Sequence, residues 1–283
     1  MIAVLGATGK TGRYLVARLC DDGHEVTAVG RSRQRLDAVD ARARKVVADL
    51  ERPKTVAAAL AGAARIASCA HARYTEAVLA ALPECCERLV LTGSARRFSA
   101  LPDPAADAVR AGEAAFLASG VAGVMLHPTM IYGAPDDRNV NRLLRLVRRR
   151  RVVPLPDGGR HLVQPVFVDD VVAALAGALT RAEAAGPPIV VAGPEPITYA
   201  DMVRACARAL GRSVVVVPVP AALLVPGLRL ATAIGLDPPF DAAEILRATE
   251  DKSFDVTEMR ARLGITPRRF AEGLALKLAR GWA

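Results

Sequence analysis

Gly6-Ala7-Thr8-Gly9-Lys10-Thr11-Gly12 is the stretch whose residue types and spacing point most directly to chemistry. It follows an apolar run, Ile2–Leu5, and precedes an amphipathic one, Arg13–Asp22, so it reads as the turn from a first strand into a first helix. Each glycine has a mechanical purpose there. Gly6 permits the tight reversal, Gly9 lets the main chain approach a ligand, and Gly12 lets the helix lie close on the sheet. Amides at a helix start, backed by the helix dipole, suit a diphosphate, and Thr8, Lys10 and Thr11 belong to the same cradle. A P-loop would need glycine where Val4 stands.

A second strand, Glu25–Val29, leads into Gly30-Arg31-Ser32-Arg33. In dinucleotide-binding folds a carboxylate at this place holds the ribose 2′-hydroxyl. No acid stands here, and the guanidinium of Arg31 can pair with a 2′-phosphate that an aspartate would repel. The pattern argues for NADP(H) over NAD(H), with a solvated loop arginine as the plain alternative.

These residues need a scaffold, and the first half supplies the βαβ rhythm. Further strands are expected at Lys45–Ala48, Arg65–Ser68, Arg88–Thr92 and Gly123–His127, with helices near Pro53–Ala61, Thr75–Ala81 and Ala106–Ser119. Right-handed crossovers then give an α/β fold, a Rossmann-type doubly wound parallel sheet with a smaller C-terminal α/β lobe. The expected division is 1–150 for nucleotide binding and 151–283 for a substrate or partner lobe, with the chain crossing between them. In the second half an arginine-rich helix is expected over Val140–Arg151, followed by a turn-rich segment Pro154–Arg160. Beyond it come a helix from Val168, a strand Ile189–Ala192 and a helix Tyr199–Leu210 capped by Thr198.

Composition narrows the function classes. Of the 283 residues 52% are apolar but only 4% aromatic, which suits helices on a parallel sheet. A net charge of +9 favours acidic partners. Nucleic acid is not expected, because no aromatic side chains interleave the basic stretches. The five cysteines form no CxxC pair and read as reduced, buried thiols of a cytoplasmic protein. No metal-ligand spacing appears. The first strand starts too early for a signal peptide, and Val214–Leu236, the most apolar later stretch, is broken by Pro218, Pro220, Pro226 and Arg229. That is a poor membrane span, leaving a peripheral membrane contact open.

Val4-Leu5-Gly6-Ala7-Thr8-Gly9-Lys10-Thr11-Gly12, in its GxxGxxG spacing, resembles the extended and atypical short-chain dehydrogenase/reductase superfamily. The resemblance extends over nearly the whole chain. It implies that Asp49-Leu50 meets the adenine, that Cys69-Ala70-His71 lets the cofactor pass, and that Pro128 and Thr129 lie against the nicotinamide. It also implies that Ser94, ending Leu91-Thr92-Gly93-Ser94, polarises a substrate carbonyl. Leu126-His127-Pro128-Thr129-Met130-Ile131-Tyr132-Gly133 resembles the superfamily's Arg-Pro-x-x-x-Tyr-Gly, with His127 in place of arginine.

The superfamily's Tyr-x-x-x-Lys pair is missing. Aligning Glu113 through Gly120 with the Glu-x-x-Leu-x-x-Ser-Gly ending puts Val109 where lysine belongs and Ala105 where tyrosine belongs. Interconverting a carbonyl and an alcohol needs a proton-transfer group. Ser94, Tyr132, His71 and His127 are the candidates. The expected function is therefore an NADPH-binding oxidoreductase acting on a small molecule of open identity, an anionic one included. A non-catalytic regulator or assembly subunit, as in NmrA-like proteins and the accessory subunit of respiratory complex I, stays open. So does a nucleotide-sugar epimerase or dehydratase. Oligomeric state is not legible.

Overall fold

Apolar strands buried on both faces need helices on both sides, and the chain supplies them in two compact units. The computed structural model describes residues 1–233, 235 and 242–282. The first unit comprises Met1–Thr129, Val168–Val191 and Asp255–Thr266, and the second Met130–Phe167, Ala192–Phe254 and Pro267–Ala283. The first boundary thus falls at Thr129, earlier than the expected residue 150, and the chain re-enters the first unit twice.

The first unit begins β1 (Ile2–Leu5), α1 (Gly12–Asp21), β2 (Val26–Gly30), α2 (Arg33–Asp37), β3 (Arg44–Val47) and α3 (Pro53–Leu60). It continues with β4 (Arg65–Ser68), α4 (Thr75–Leu79), β5 (Arg88–Thr92), α5 (Pro104–Ala118) and β6 (Gly123–Pro128). The later returns add α7 (Val168–Thr180), β11 (Ile189–Val191) and α11 (Thr257–Leu263). The seven strands form one parallel sheet in the order β11-β6-β5-β4-β1-β2-β3. This is the expected Rossmann-type fold.

The strand order reverses between β1 and β4, and ligands of open α/β sheets bind outside the carboxyl ends at such a switch point. Leu5 is level with Val29 on one side and Ser68 on the other. Gly6, Gly30 and Cys69 therefore emerge together. Val56, Leu60, Val78 and Phe116 cover the sheet by joining Leu5, Ile66, Leu89 and Met125 in one core. Each large apolar side chain so buried contributes roughly 1.5–3 kcal/mol.

The second unit contains β7 (Ile131–Tyr132), α6 (Asn139–Arg149), β8 (Val152–Pro156), β9 (Leu162–Val163), β10 (Val166–Phe167) and β12 (Ile197–Thr198). It also holds α8 (Tyr199–Ala209), β13 (Val215–Val219), α9 (Ala221–Ala233), α10 (Ala242–Arg247) and α12 (Phe270–Ala279). Its strands pair as three two-stranded sheets, β10-β7, β12-β9 and β13-β8. Val140, Leu143, Leu144 and Val147 form the buried stripe of α6 and share a core with Met202, Val203 and Cys206 of α8. Thr198 caps α8 as expected, accepting from the Asp201 amide at 3.0 Å.

The segment expected to be turn-rich begins instead as β8. Pro154 and Pro156 are tolerated because a two-stranded sheet asks each strand to hydrogen-bond on one side only. The cysteines are all free: Cys206 is buried, Cys20, Cys69 and Cys86 are half-buried, and Cys85 is exposed, so the expectation of buried thiols does not hold at Cys85. Among the described residues no helix is long and apolar enough to cross a membrane. Leu236, the end of the apolar stretch, lies outside the described residues.

Candidate functional site

The glycine loop has little room for side chains. Gly6 has φ +70°, and a Cβ there would come within 3.1 Å of the Cys69 carbonyl carbon and the Ala70 nitrogen. A Cβ on Gly12 would lie 2.3 Å from the Gly6 carbonyl oxygen, a clash with backbone that cannot swing aside. The Gly9 amide closes the turn on that same oxygen at 2.9 Å, and the Ala7 amide bonds Val29 across β2. No side chain caps α1 at Thr11. A bare helix start, fixed against the ends of β1, β2 and β4, has the shape and polarity that a diphosphate requires. The residues present fit the group.

At the end of β2, Arg31 is exposed, as is Arg33, which pairs with Asp37 at 3.4 Å. Ser32 caps α2 by accepting from the Arg35 amide. The cap turns Arg35 back toward the loop, where its Nη2 donates to the Thr8 carbonyl at 3.4 Å. Sequence reading missed Arg35. The signal was its place one helical turn past a serine cap, on the side of Arg31. Gly30 allows this approach, since a Cβ there would stand 3.0 Å from the Thr8 methyl.

Other expected contacts are distributed along the same sheet edge. Asp49 and Leu50 are half-buried after β3, and an Asp49 carboxylate oxygen accepts from the Glu51 amide at 3.2 Å. Ala70 abuts Gly6. Burial pushes the neighbouring Cys69 thiol up to about 12, so it stays protonated. His71 is exposed, and its Nδ1 accepts from the Arg73 amide at 3.1 Å, capping a short turn of helix. Pro128 is buried at the end of β6, and the Thr129 amide bonds the Val191 carbonyl of β11 at 3.0 Å.

Beside Ser94 lies an arrangement that the sequence did not announce. His127, only 1% exposed, accepts from the Ser94 amide through Nδ1 at 3.1 Å. Its proton must then sit on Nε2, which lies 2.5 Å from a carboxylate oxygen of buried Glu113. Arg97 holds the other oxygen of Glu113 at 2.9 Å. Gly93 makes room, because a Cβ would stand 2.4 Å from His127 Nδ1. The Ser94 hydroxyl oxygen accepts from the Arg96 amide at 3.2 Å, leaving its own proton to donate. Ser94 is thus held by buried His127, which is backed by buried Glu113 and half-buried Arg97, and this fixes its backbone.

Burial lowers the His127 pKa below its ordinary 6.5, with the Glu113 charge opposing. On acidification below 6.5 the unfolded chain therefore takes up a proton that the folded chain refuses, and stability declines until the folded pKa is passed. Urea unfolding on either side of pH 6.5 should show this loss, and His127→Gln should reduce the slope. His71, lowered chiefly by partial burial, leaves a residual slope.

Tyr132 is not placed as a reaction group. It is fully buried in the second unit, its ring against Phe167 and Phe270, and its hydroxyl donates to the Phe270 carbonyl at 3.1 Å. An apolar ring needs burial and its hydroxyl then needs a partner, so packing wins at this position. Helix α5 carries neither tyrosine nor lysine. Val109 is buried on it, and Arg110 is taken up by the Arg97 carbonyl at 2.7 Å.

Residues 6–131 match the model of the NAD(P)H-binding family. An uncharacterized protein of Mycobacterium tuberculosis strain H37Rv is 32% identical over 281 residues, covering 96% of this chain and 29% of that protein. The chain thus spans about 29% of the length of this curated relative. Among solved structures, the NADPH-dependent quinone oxidoreductase of Escherichia coli complexed with NADPH superposes with a TM-score of 0.77 at 18% identity. That likeness covers 98% of this chain and all (100%) of that one. UDP-glucose 4-epimerase from Thermotoga maritima gives a TM-score of 0.75 at 15% identity, covering 98% and 97%. Residues 6–131 thus match an NAD(P)H-binding family model, and the chain shares its fold with that quinone oxidoreductase and that epimerase.

Proposed function

We propose that this protein is an NADPH-dependent oxidoreductase of the atypical short-chain class, acting on a small molecule without the Tyr-x-x-x-Lys pair. The supporting observation is the end of β2, where Arg31 has no acidic neighbour and Arg35 reaches the Thr8 carbonyl. Two guanidinium groups there would meet the 2′-phosphate that distinguishes NADPH. The amides around Gly9 and the start of α1 would hold the pyrophosphate. Asp49 and Leu50 flank the adenine end, while Ala70, Pro128 and Thr129 flank the nicotinamide end.

When bound, the cofactor supplies hydride. The chain's own contribution is orientation and polarisation: Ser94, fixed by His127 through its amide, offers its hydroxyl proton to a substrate oxygen. Hydrogen bonds to charged groups contribute roughly 1.5–3 kcal/mol. Arg31→Asp should therefore move the NADH-to-NADPH ratio of dissociation constants toward NADH on the order of 10–100-fold. An unchanged ratio removes Arg31 as the selector.

A non-catalytic NADPH-binding regulator is the second reading, favoured by Ala105 and Val109 where the superfamily's proton-transfer pair stands. Substrate-dependent loss of NADPH absorbance that Ser94→Ala diminishes supports the enzyme. Binding with no turnover across metabolite pools supports the regulator. An epimerase is disfavoured, because its first step oxidises a sugar hydroxyl and needs a base that α5 lacks.

A further inference from the structure

The second unit exposes a surface that a globular fold ordinarily hides. In the parallel pair β8-β13, Val152 lies opposite Val215 and Pro154 opposite Val217. Alternation puts Val153 and Leu155 into the core. The other positions face outward, with Val152 at 54% exposure, Val215 at 62% and Val217 at 37%. Leu223, just beyond β13 in the first turn of α9, is exposed at 68%. Outward β-branched residues on adjacent strands form an apolar patch that water disfavours and a partner would cover.

Its rim is cationic. Arg145, Arg148 and Arg149 stand on the exposed face of α6, and Arg150 and Arg151 lead into β8. The Arg151 carbonyl accepts from the Val215 amide at 2.8 Å, joining the arginine run directly to the apolar face. Arg212 adds a charge just before β13. Among the described residues none of these six arginines forms an ion pair, whereas Arg142 is neutralised by Glu244. Residues 138–156 and 202–236 contain no aspartate or glutamate at all.

We infer that the β8-β13 face and its arginine rim dock the second unit onto an anionic lipid bilayer surface. Guanidinium groups near such a surface are drawn to phosphate headgroups, and exposed aliphatic side chains sink into the interface beneath them. Neither acid-free stretch contains an aromatic residue, so nucleic acid would find no stacking platform and would leave the valines wet. A second copy would bring like charges together.

Co-sedimentation of the full chain with vesicles tests this. Vesicles of equal parts phosphatidylcholine and phosphatidylglycerol should bind at least tenfold more strongly than phosphatidylcholine alone, and added salt should weaken the binding. Combining Arg148→Gln, Arg149→Gln, Arg150→Gln and Arg151→Gln should remove this preference. Val152→Ser with Val215→Ser should weaken binding while keeping its salt dependence. Unchanged NADPH-free thermal unfolding would certify that these surface variants fold. Equal sedimentation with both vesicles, or capture by duplex DNA or polyglutamate in place of vesicles with the same arginine dependence, would overturn the assignment.

Discussion

Lys277→Met should destabilise the chain by about 3–5 kcal/mol, because it strands a buried carboxylate. Lys277 is completely buried, and its Nζ lies 3.0 Å from an Asp137 carboxylate oxygen and 2.9 Å from the Ala134 carbonyl. Asp137 is equally committed. It accepts from the Val140 and Asn141 amides at 2.9 and 3.2 Å, capping α6, and from the Gly133 amide at 3.1 Å. Removing the ammonium leaves a negative charge with amide donors but no counter-ion in a buried site. Adding Asp137→Asn to Lys277→Met should recover much of the loss, since asparagine still accepts the capping bonds without carrying charge. Urea titration of the two variants against the parent checks both statements. A single variant as stable as the parent would show that water reaches the pair.

Gly12→Ala should weaken NADPH binding on the order of 100-fold, equivalent to about 3 kcal/mol. The added methyl would stand 2.3 Å from the Gly6 oxygen and 3.0 Å from the Ala7 Cα, all backbone positions. Relief requires α1 to move off the loop, and with it the amides that would face the phosphates. Strain of this kind also costs roughly 1–3 kcal/mol of stability. Binding must therefore be measured by calorimetry under conditions where thermal unfolding confirms a folded variant. Gly23→Ala is the matched control. Gly23 has φ +80°, unlike Gly12, and a Cβ there meets nothing within 4 Å, so its variant costs stability through backbone strain alone without obstructing the loop.

Much of the first unit was legible because its forces are local. Ile2–Leu5, Arg65–Ser68 and Arg88–Thr92 are strands at their expected limits. Apolar runs of that length between helical periods have few other solutions. The turn that presents Gly6, Gly9 and Gly12 followed from the same rhythm. The Arg97–Glu113–His127 chain was hidden because its members belong to three separate segments and meet only when the helical turn after β5 packs with α5 and β6. Arg35 was hidden by distance, its carbonyl partner lying 27 residues earlier. Tyr132 misled because a motif position says nothing about where a hydroxyl points once Phe270 closes over it. The pairing of Val152 with Val215 was illegible for a further reason, since parallel partners joined by long crossovers leave no turn signal in sequence.

The central claim is that the loop from β1 to α1 grips a dinucleotide's phosphates through its main chain, with Arg31 and Arg35 favouring NADPH. Titrating the folded parent protein calorimetrically with NADPH and then with NADH tests it most directly. Saturable binding of both, tighter for NADPH, is the predicted result. Folded protein that takes up neither coenzyme would contradict the account at its root.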